Sequence, residues 1–276
     1  MIRFFFHTLF ITFLFISCTP KQNVSINRYT YSDSIVHVSD DSLLKLNFLS
    51  ESEICLLSTP TKDSHTDKVV ESINRSILAL VAPNYINDPF DSICKHQVDA
   101  SLVEMYESTM SRIDSFNFSE SEESESYDSI TYDFYNKLIT DCRIGLGDSI
   151  ICYTVYSSSY ISGAHPFELS YAYSFSLKDG SRIYLNKVIS SSDKSKMLKR
   201  IISKLIKQEQ VRDEEELHSL GFEVNQISDN ILLDKDSITF HYDTYSIAPY
   251  TYGEIDVKFS YDEVSDLLIW SRSKND

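Results

Sequence analysis

Glycine and proline are scarce in this chain, with six residues of each among 276. That scarcity excludes a collagen-like chain and a disordered chain rich in these two residues. Basic residues are also few, because 25 Lys and Arg stand against 41 Asp and Glu, for a formal net charge of −16. A nucleic-acid partner is therefore not expected, since phosphate binding requires clustered Lys and Arg. The acidity leaves two explanations open, a basic partner that its field attracts and simple solubility.

Signatures of catalysis and metal binding are missing as well. The sequence has no Cys-x-x-Cys, no His-Glu-x-x-His, no Gly-x-Ser-x-Gly and no glycine-rich phosphate loop. We therefore predict a protein that is not an enzyme, with no catalytic residue, no metal ligand and no cofactor. A triad assembled from distant residues stays open, because no spacing reveals it. The chain does have 42% hydrophobic residues, with 18 Tyr and 16 Phe, enough for one large domain or two small ones.

The apolar run at the N-terminus is short. It extends from Phe4 to Ile16 behind Arg3, which is typical of an export signal and too short for a transmembrane helix. It ends in Ser17-Cys18, the arrangement of a bacterial lipoprotein signal. Residues 1–17 are thus predicted to be removed and Cys18 to be acylated, which anchors the chain to a membrane. We expect an extracytoplasmic protein on the cell membrane or outer membrane; an ordinary secretory signal is the alternative.

Cleavage before Cys18 removes one basic residue and no acidic residue, so the mature chain carries a net charge of −17. Four more cysteines follow, and an even number in an exported chain permits disulfides. A hairpin folded symmetrically about Gly147 places Cys142 opposite Cys152, within reach of a disulfide. The alternative is that both are reduced, buried thiols.

Hydrophobic periodicity predicts the element order. Residues 18–44 are polar and form a flexible tether, with an extended start near residues 35–38. A strand over 44–57 precedes two helices. The first has Ser64 or Thr66 as N-cap and Val70, Ile73, Ile77 and Leu80 on one face; the second runs over 97–116. Residues 119–129 are an acidic loop, read as solvated or as a docking loop for a cationic partner.

Strand patterns dominate the rest. They cover residues 130–144, 149–160, 169–177, 231–233, 238–242 and 254–259, with a helix after Ser191 and a short one over 261–268. Helices followed by a strand meander predict an α+β fold, with helices packed on a mainly antiparallel sheet. We divide it into an N-terminal part over 45–160 and a C-terminal domain over 161–272.

Two loops hold the candidate binding residues. His165 lies between Gly163 and Pro166, and it is either a ligand-contacting residue or a histidine whose ring bonds a loop carbonyl. The second loop surrounds Pro249 and presents Tyr245, Tyr250 and Tyr252, because tyrosine offers a large contact area at low entropic cost. The alternative is a hydrophobic corner that closes the core.

These loops carry a family resemblance. Gly163-Ala-His-Pro166, then Phe175-Ser-Leu-Lys-Asp-Gly180, a helix, Phe240, Tyr245-Ser-Ile-Ala-Pro-Tyr250 and Gly253 occur in the order found in the paired extracellular domains of the RsiV/PdaC type. The resemblance spans roughly 45–270 and is most specific after residue 160. It implies an α+β envelope domain whose motif residues are structural and not catalytic.

The resemblance also implies a function. RsiV receives lysozyme, a basic protein, and PdaC carries its domain pair before a peptidoglycan deacetylase domain. We therefore expect a lipid-anchored, non-enzymatic binding or sensing module for a lysozyme-like basic protein or a peptidoglycan glycan. Alternatives are an envelope polysaccharide hydrolase, a deacetylase-associated protein, a lysozyme inhibitor, and a structural lipoprotein that docks on another envelope component.

Overall fold

The computed structural model describes residues 24–40, 43–60, 63–115, 130–161 and 163–272. The predicted signal over 1–17, the lipidated Cys18 and the acidic loop over 119–129 lie outside these ranges. Across the ranges that are described, no helix is both long enough and apolar enough to cross a membrane.

The first sheet has five strands in the order β1-β2-β3-β4-β5. Their bounds are Ser25–Val38, Leu44–Ser58, Ile130–Ile144, Ile150–Tyr160 and Phe167–Ser176. Only the β2–β3 pair is parallel, and the other three pairs are antiparallel. The parallel pair follows from its connection, since two helices cross between β2 and β3. The predicted α+β class is confirmed.

Strand β1 corrects the prediction of a flexible tether over 18–44. It pairs with β2 along its whole length, from Ser25 opposite Ser58 to Val38 opposite Lys45. The Ser- and Asp-rich composition of β1 is typical of a loop. An edge strand can have this composition because many of its side chains face solvent. The signal that could have found it is the period of two in the half-buried Tyr29, Tyr31 and Ile35.

Helices α1, Ser64–Val81, and α2, Phe90–Ser115, cover one face of this sheet. Residues Val70, Ile73 and Ile77 are buried as predicted, but Leu80 is 39% exposed. The N-cap of α1 is Asp63 instead of Ser64 or Thr66, because its carboxylate accepts from the His65 and Thr66 backbone N–H groups. Helix α2 begins seven residues before the predicted start.

A second, antiparallel sheet follows, with β6 over Ile231–Leu233, β7 over Ser237–Tyr242 and β8 over Ile255–Ser260. Helices α3, α4, α5 and α6 accompany it, over Lys194–Gln208, Glu214–Ser219, Tyr261–Val264 and Ile269–Arg272. Met197, Ile201 and Leu205 of α3 are buried in the same core as Phe240 and Val257. The predicted 231–242 hairpin and last strand are confirmed.

The two sheets meet where β6 lies on the small-residue face of β5, a contact we call the sheet junction. The Ser174 hydroxyl accepts from the Leu233 N–H at 2.9 Å and donates to the Ile231 carbonyl at 2.9 Å. A Cβ added to Gly145 would lie 2.1 Å from the Leu233 carbonyl oxygen, so the β6 backbone passes directly over this glycine. The boundary predicted between residues 160 and 161 divides the first sheet, and the structure instead separates the sheets after β5.

Of the two alternatives for Cys142 and Cys152, the disulfide is wrong, and the structure has the reduced, buried thiols. Cys142 pairs with Tyr153 and Cys152 with Arg143, which puts the two thiols on opposite faces of the sheet. A hairpin that is symmetric about Gly147 has an odd number of residues in its turn. In the structure the last pair of the hairpin is Ile144 with Ile151, and the six residues 145–150 lie between them. Cys142 and Cys152 are both free and buried.

Candidate functional site

Three of the four predicted binding residues form one cluster at the surface, here called the aromatic platform: His165, Tyr245 and Tyr250. The His165 ring stacks on Tyr250 with centroids 3.9 Å apart and planes at 21°. The Tyr245 hydroxyl lies 3.2 Å from His165 Nε2, and the two tyrosine centroids are 5.6 Å apart. The sheet fold thus unites residues 80 positions apart in the chain.

Hydrogen bonds set the tautomer of His165. Its Nδ1 lies 2.8 Å from the Pro166 carbonyl oxygen, which can only accept, so Nδ1 carries the proton. In the neutral ring Nε2 is then the acceptor for the Tyr245 hydroxyl. His165 thus bonds a loop carbonyl through Nδ1, as one of the two alternatives predicted. Its ring is at the same time part of the exposed platform.

Tyr245 has an unusual backbone. Its φ is +67°, a left-handed conformation that is rare for a bulky residue. The neighbouring Ile247 and Ala248 are buried and hold the loop to the core, while the Tyr245 side chain is 62% exposed. Strain at an exposed aromatic residue is typical of functional positions.

A carboxylate borders the platform. Glu168 accepts from the Tyr156 hydroxyl at 2.9 Å, and its charge acts on Tyr250. Desolvation, followed by the charge of Glu168, raises the pKa of Tyr250 above its ordinary value. The platform therefore combines exposed π faces with negative charge.

Tyr252 lies elsewhere. Its ring packs edge to face on Phe222, with centroids 4.8 Å apart, at the core of the second sheet. The alternative of a hydrophobic corner thus describes this part of the Pro249 loop. The predicted grouping of Tyr252 with His165 is corrected, because the Tyr250–Tyr252 turn directs consecutive side chains to different sides.

Sequence reasoning missed a buried relay between the two sheets. His241 Nε2 lies 2.8 Å from the Ser170 hydroxyl, and its Nδ1 lies 2.8 Å from Asp256 Oδ1. Asp243 Oδ1 accepts from the Ser170 N–H at 2.7 Å and from its hydroxyl at 3.1 Å. Ser170 and His241 are 3% and 4% exposed. Only the alternation of small residues along β5 pointed to a close contact there.

This relay has the residue types of a Ser-His-Asp triad, but the directions of its hydrogen bonds are those of a structural link. Burial opposes a charged His241, yet the Asp256 hydrogen bond and the charges of Asp256, Glu254 and Asp243 outweigh it and raise its pKa. Protonated His241 donates from both nitrogens, and the Ser170 proton then goes to Asp243. A triad needs the opposite, a serine that donates to the histidine and is open to substrate.

The described residues hold no cluster of three or more His, Cys, Asp or Glu side chains arranged for a metal ion. The described residues do form an exposed surface, the aromatic platform with Glu168 at its border. They also form a sheet junction that buried hydrogen bonds hold.

Residues 186–262, which include α3, α4 and the second sheet, match the family described as protein of unknown function (DUF3298). The chain is thus an α+β protein with a segment that matches the DUF3298 family model. A DUF3298 family member from Bacteroides fragilis shares the fold, with a TM-score of 0.70 and 17% identity over 89% of this chain and 93% of that one. Another, from Pseudomonas aeruginosa, has a TM-score of 0.49 and 14% identity over 90% of this chain and 96% of its own. No curated protein matches.

Proposed function

We propose that the chain is a lipid-anchored, extracytoplasmic binding module of the RsiV/PdaC type, and that its aromatic platform binds a basic protein. The observation that carries this proposal is the exposed, left-handed Tyr245, held by His165 and Tyr250 beside the carboxylate of Glu168. The membrane contact is made by the acylated Cys18.

The chemistry of the platform suits Lys and Arg side chains. Aromatic faces attract cations through their quadrupole, and a neighbouring carboxylate adds charge attraction. The net charge of −16 steers a basic protein toward the whole chain. Tyrosine anchors are common among residues that dominate binding energies at protein interfaces.

A peptidoglycan glycan is the second candidate ligand. The exposed Tyr245 ring offers a flat surface for a sugar ring, and Glu168, whose charge acts on Tyr250, offers carboxylate oxygens as acceptors. This ligand requires no positive charge, which separates it from the first candidate by salt dependence.

Two groups, the His165 ring and the Ser170 hydroxyl, favour non-enzymatic binding over hydrolase or deacetylase-associated activity. Both His165 nitrogens are occupied by protein hydrogen bonds, so neither is free to act as a base. The Ser170 hydroxyl is buried. A lysozyme inhibitor remains the alternative that binds the same partner.

Titration of the full chain in detergent with lysozyme tests the proposal. Tyr245→Gly, which removes the ring and tolerates a positive φ, and Tyr250→Ala should each weaken binding by about tenfold or more. Tyr132→Ala is the matched control, since Tyr132 is an exposed tyrosine on β3, and its binding should equal that of the parent chain.

If all three variants bind lysozyme as tightly as the parent chain does, the platform is not part of the interface. Binding of soluble peptidoglycan fragments that survives high salt, with no lysozyme binding, would select the glycan instead. A fall in lysozyme activity at saturating chain would select the inhibitor.

A further inference from the structure

A cleft of about 240 Å³ lies between α1 and the end of β5. It is separate from the platform, which borders the start of β5. Aromatic and aliphatic side chains line it, including Tyr173, Tyr184, Ile77 and Leu80, and Arg182 is its only charged lining residue. Leu80 and Tyr184 are 39% and 47% exposed, so an aliphatic and an aromatic side chain of the cleft reach the surface.

Two tyrosines hold the Arg182 guanidinium. Its Cζ lies 4.0 Å from the Tyr173 ring centroid and 4.8 Å from the Tyr184 centroid. The Nη2 group donates to the Asp229 backbone carbonyl at 3.2 Å and to the Asn230 side-chain oxygen at 3.4 Å. Stacking and these two bonds fix the plane of the guanidinium.

The charge of Arg182 has no counter-ion among the residues that the structure describes. Both Nη2 acceptors are neutral, and the Asp229 carboxylate accepts from the Leu185 N–H at 3.1 Å. The Nε atom is buried and has no hydrogen-bond partner. A half-buried cation without a paired carboxylate is costly, and an anion bound at the accessible edge of the guanidinium relieves that cost.

We propose that this cleft binds a carboxylate monoanion attached to an aromatic or aliphatic body. A planar guanidinium matches a planar carboxylate, and the apolar walls accommodate the body of the ligand. A phosphate dianion fits less well, because one arginine neutralises one negative charge and this acidic chain supplies no second cation to the cleft. The carboxylate comes from a free small acid or from the C-terminus of a peptide.

Calorimetric titration of the full chain in a non-ionic detergent with benzoate tests this assignment. Benzamide is the matched neutral probe, and it also controls for partition into micelles. Benzoate should bind at least about tenfold more tightly than benzamide, which corresponds to about 1.4 kcal/mol. Arg182→Gln should abolish that preference. Arg200→Gln should leave it unchanged, because Arg200 pairs with Asp266 at another surface.

A peptide that ends in a free phenylalanine carboxylate, compared with its C-terminal amide, distinguishes the two sources. Preference for the free peptide over benzoate selects a chain terminus, and the reverse selects a small acid. Tyr184→Ala, at an exposed position, provides a second variant if Arg182→Gln does not fold, and it should also weaken benzoate binding. Equal binding of benzoate and benzamide, tighter binding of phenyl phosphate, or no binding of any carboxylate probe would overturn the proposal.

Discussion

His241 connects three strands through its two ring nitrogens. Its partners are Ser170 on β5 and Asp256 on β8, and Asp243 holds Ser170 from the other side. The histidine is buried, whereas Asp256 reaches solvent. A buried imidazole with an acidic partner is the arrangement that makes stability depend on pH.

The pKa of His241 is raised above 6.5, so its charged form stabilises the fold. That contribution is complete below pH 6.5 and is lost as the pH rises through the higher folded-state pKa. We expect Asp256→Asn to lower the free energy of unfolding more at pH 6 than at pH 8, as measured by urea denaturation. Asp262→Asn on α5 is the control and should have the same effect at both pH values. An equal loss at both pH values for Asp256→Asn would contradict the pairing.

At this scale the sequence found part of the candidate site. His165, Tyr245 and Tyr250 were identified because a Gly-His-Pro loop and a Pro-bearing aromatic loop are local features. Their stacking, and the absence of Tyr252 from the cluster, depend on rotations that no spacing records. His241 and Arg182 gave no signal, since a histidine in a strand and an arginine after a turn are ordinary, and Ser170 was indicated only as one small residue of β5.

At the scale of elements, a single amide on α1 closes the end of β2. The β2–β3 ladder ends where Glu53 pairs with Ile139. Beyond it, the Leu57 N–H donates to Asn74 Oδ1 at 2.9 Å and the Leu57 carbonyl accepts from Asn74 Nδ2 at 2.9 Å. The amide therefore takes the place of a neighbouring strand and ties the helix to the sheet.

Removal of that amide leaves two buried backbone groups without partners. We expect Asn74→Ala to lower the free energy of unfolding by about 2 to 4 kcal/mol. Ser76→Ala, an exposed position on the same helix, should change it by less than about 0.5 kcal/mol. Guanidinium denaturation followed by circular dichroism measures both, and similar values for the two variants would show that the amide is dispensable.

Element prediction succeeded where periodicity is strong and failed at the edge of the sheet. The strands from β2 onward and helix α1 match their patterns within a few residues, because one buried face imposes a regular period. Strand β1 was missed, since pairing with β2 stabilises it more than its own composition does. The hairpin register was wrong by one residue for a related reason: the turn, and not the flanking pattern, decides it.

At the scale of the whole molecule, two cores meet along β5, at the sheet junction and at the His241 relay. The first sheet packs with α1 and α2, and the second with α3 and its neighbours. The sheet junction adds an ion pair between Arg143 Nε and Asp234 Oδ1, at 2.6 Å. Small residues on β4 and β5 let the β6 backbone approach this closely.

Gly145→Ala should disrupt the sheet junction. The new Cβ would lie 2.1 Å from the Leu233 carbonyl oxygen, a distance that requires the β6 backbone to move. We expect a loss of at least about 2 kcal/mol of unfolding free energy. Gly163→Ala is the control, because no atom lies within 4 Å of its Cβ and only its positive φ resists substitution, at about 1 kcal/mol.

The single tryptophan, Trp270, packs on the core of the second sheet, so its fluorescence reports that sheet while circular dichroism reports the whole chain. In Gly145→Ala the two signals should unfold at different denaturant concentrations. Coincident transitions at the parent midpoint would show that the two sheets do not depend on this contact.

The sequence by itself determined the α+β class, most strands and helices, and two loops rich in aromatic residues, because periodicity and turn residues act over a few positions. Tertiary structure alone decided the pairing of β1, the separation of Cys142 from Cys152, the His241 relay and the packing of Arg182 against Tyr173 and Tyr184. Each of these depends on which distant segments lie side by side, and that outcome is set by the packing of two cores and not by neighbours in the chain.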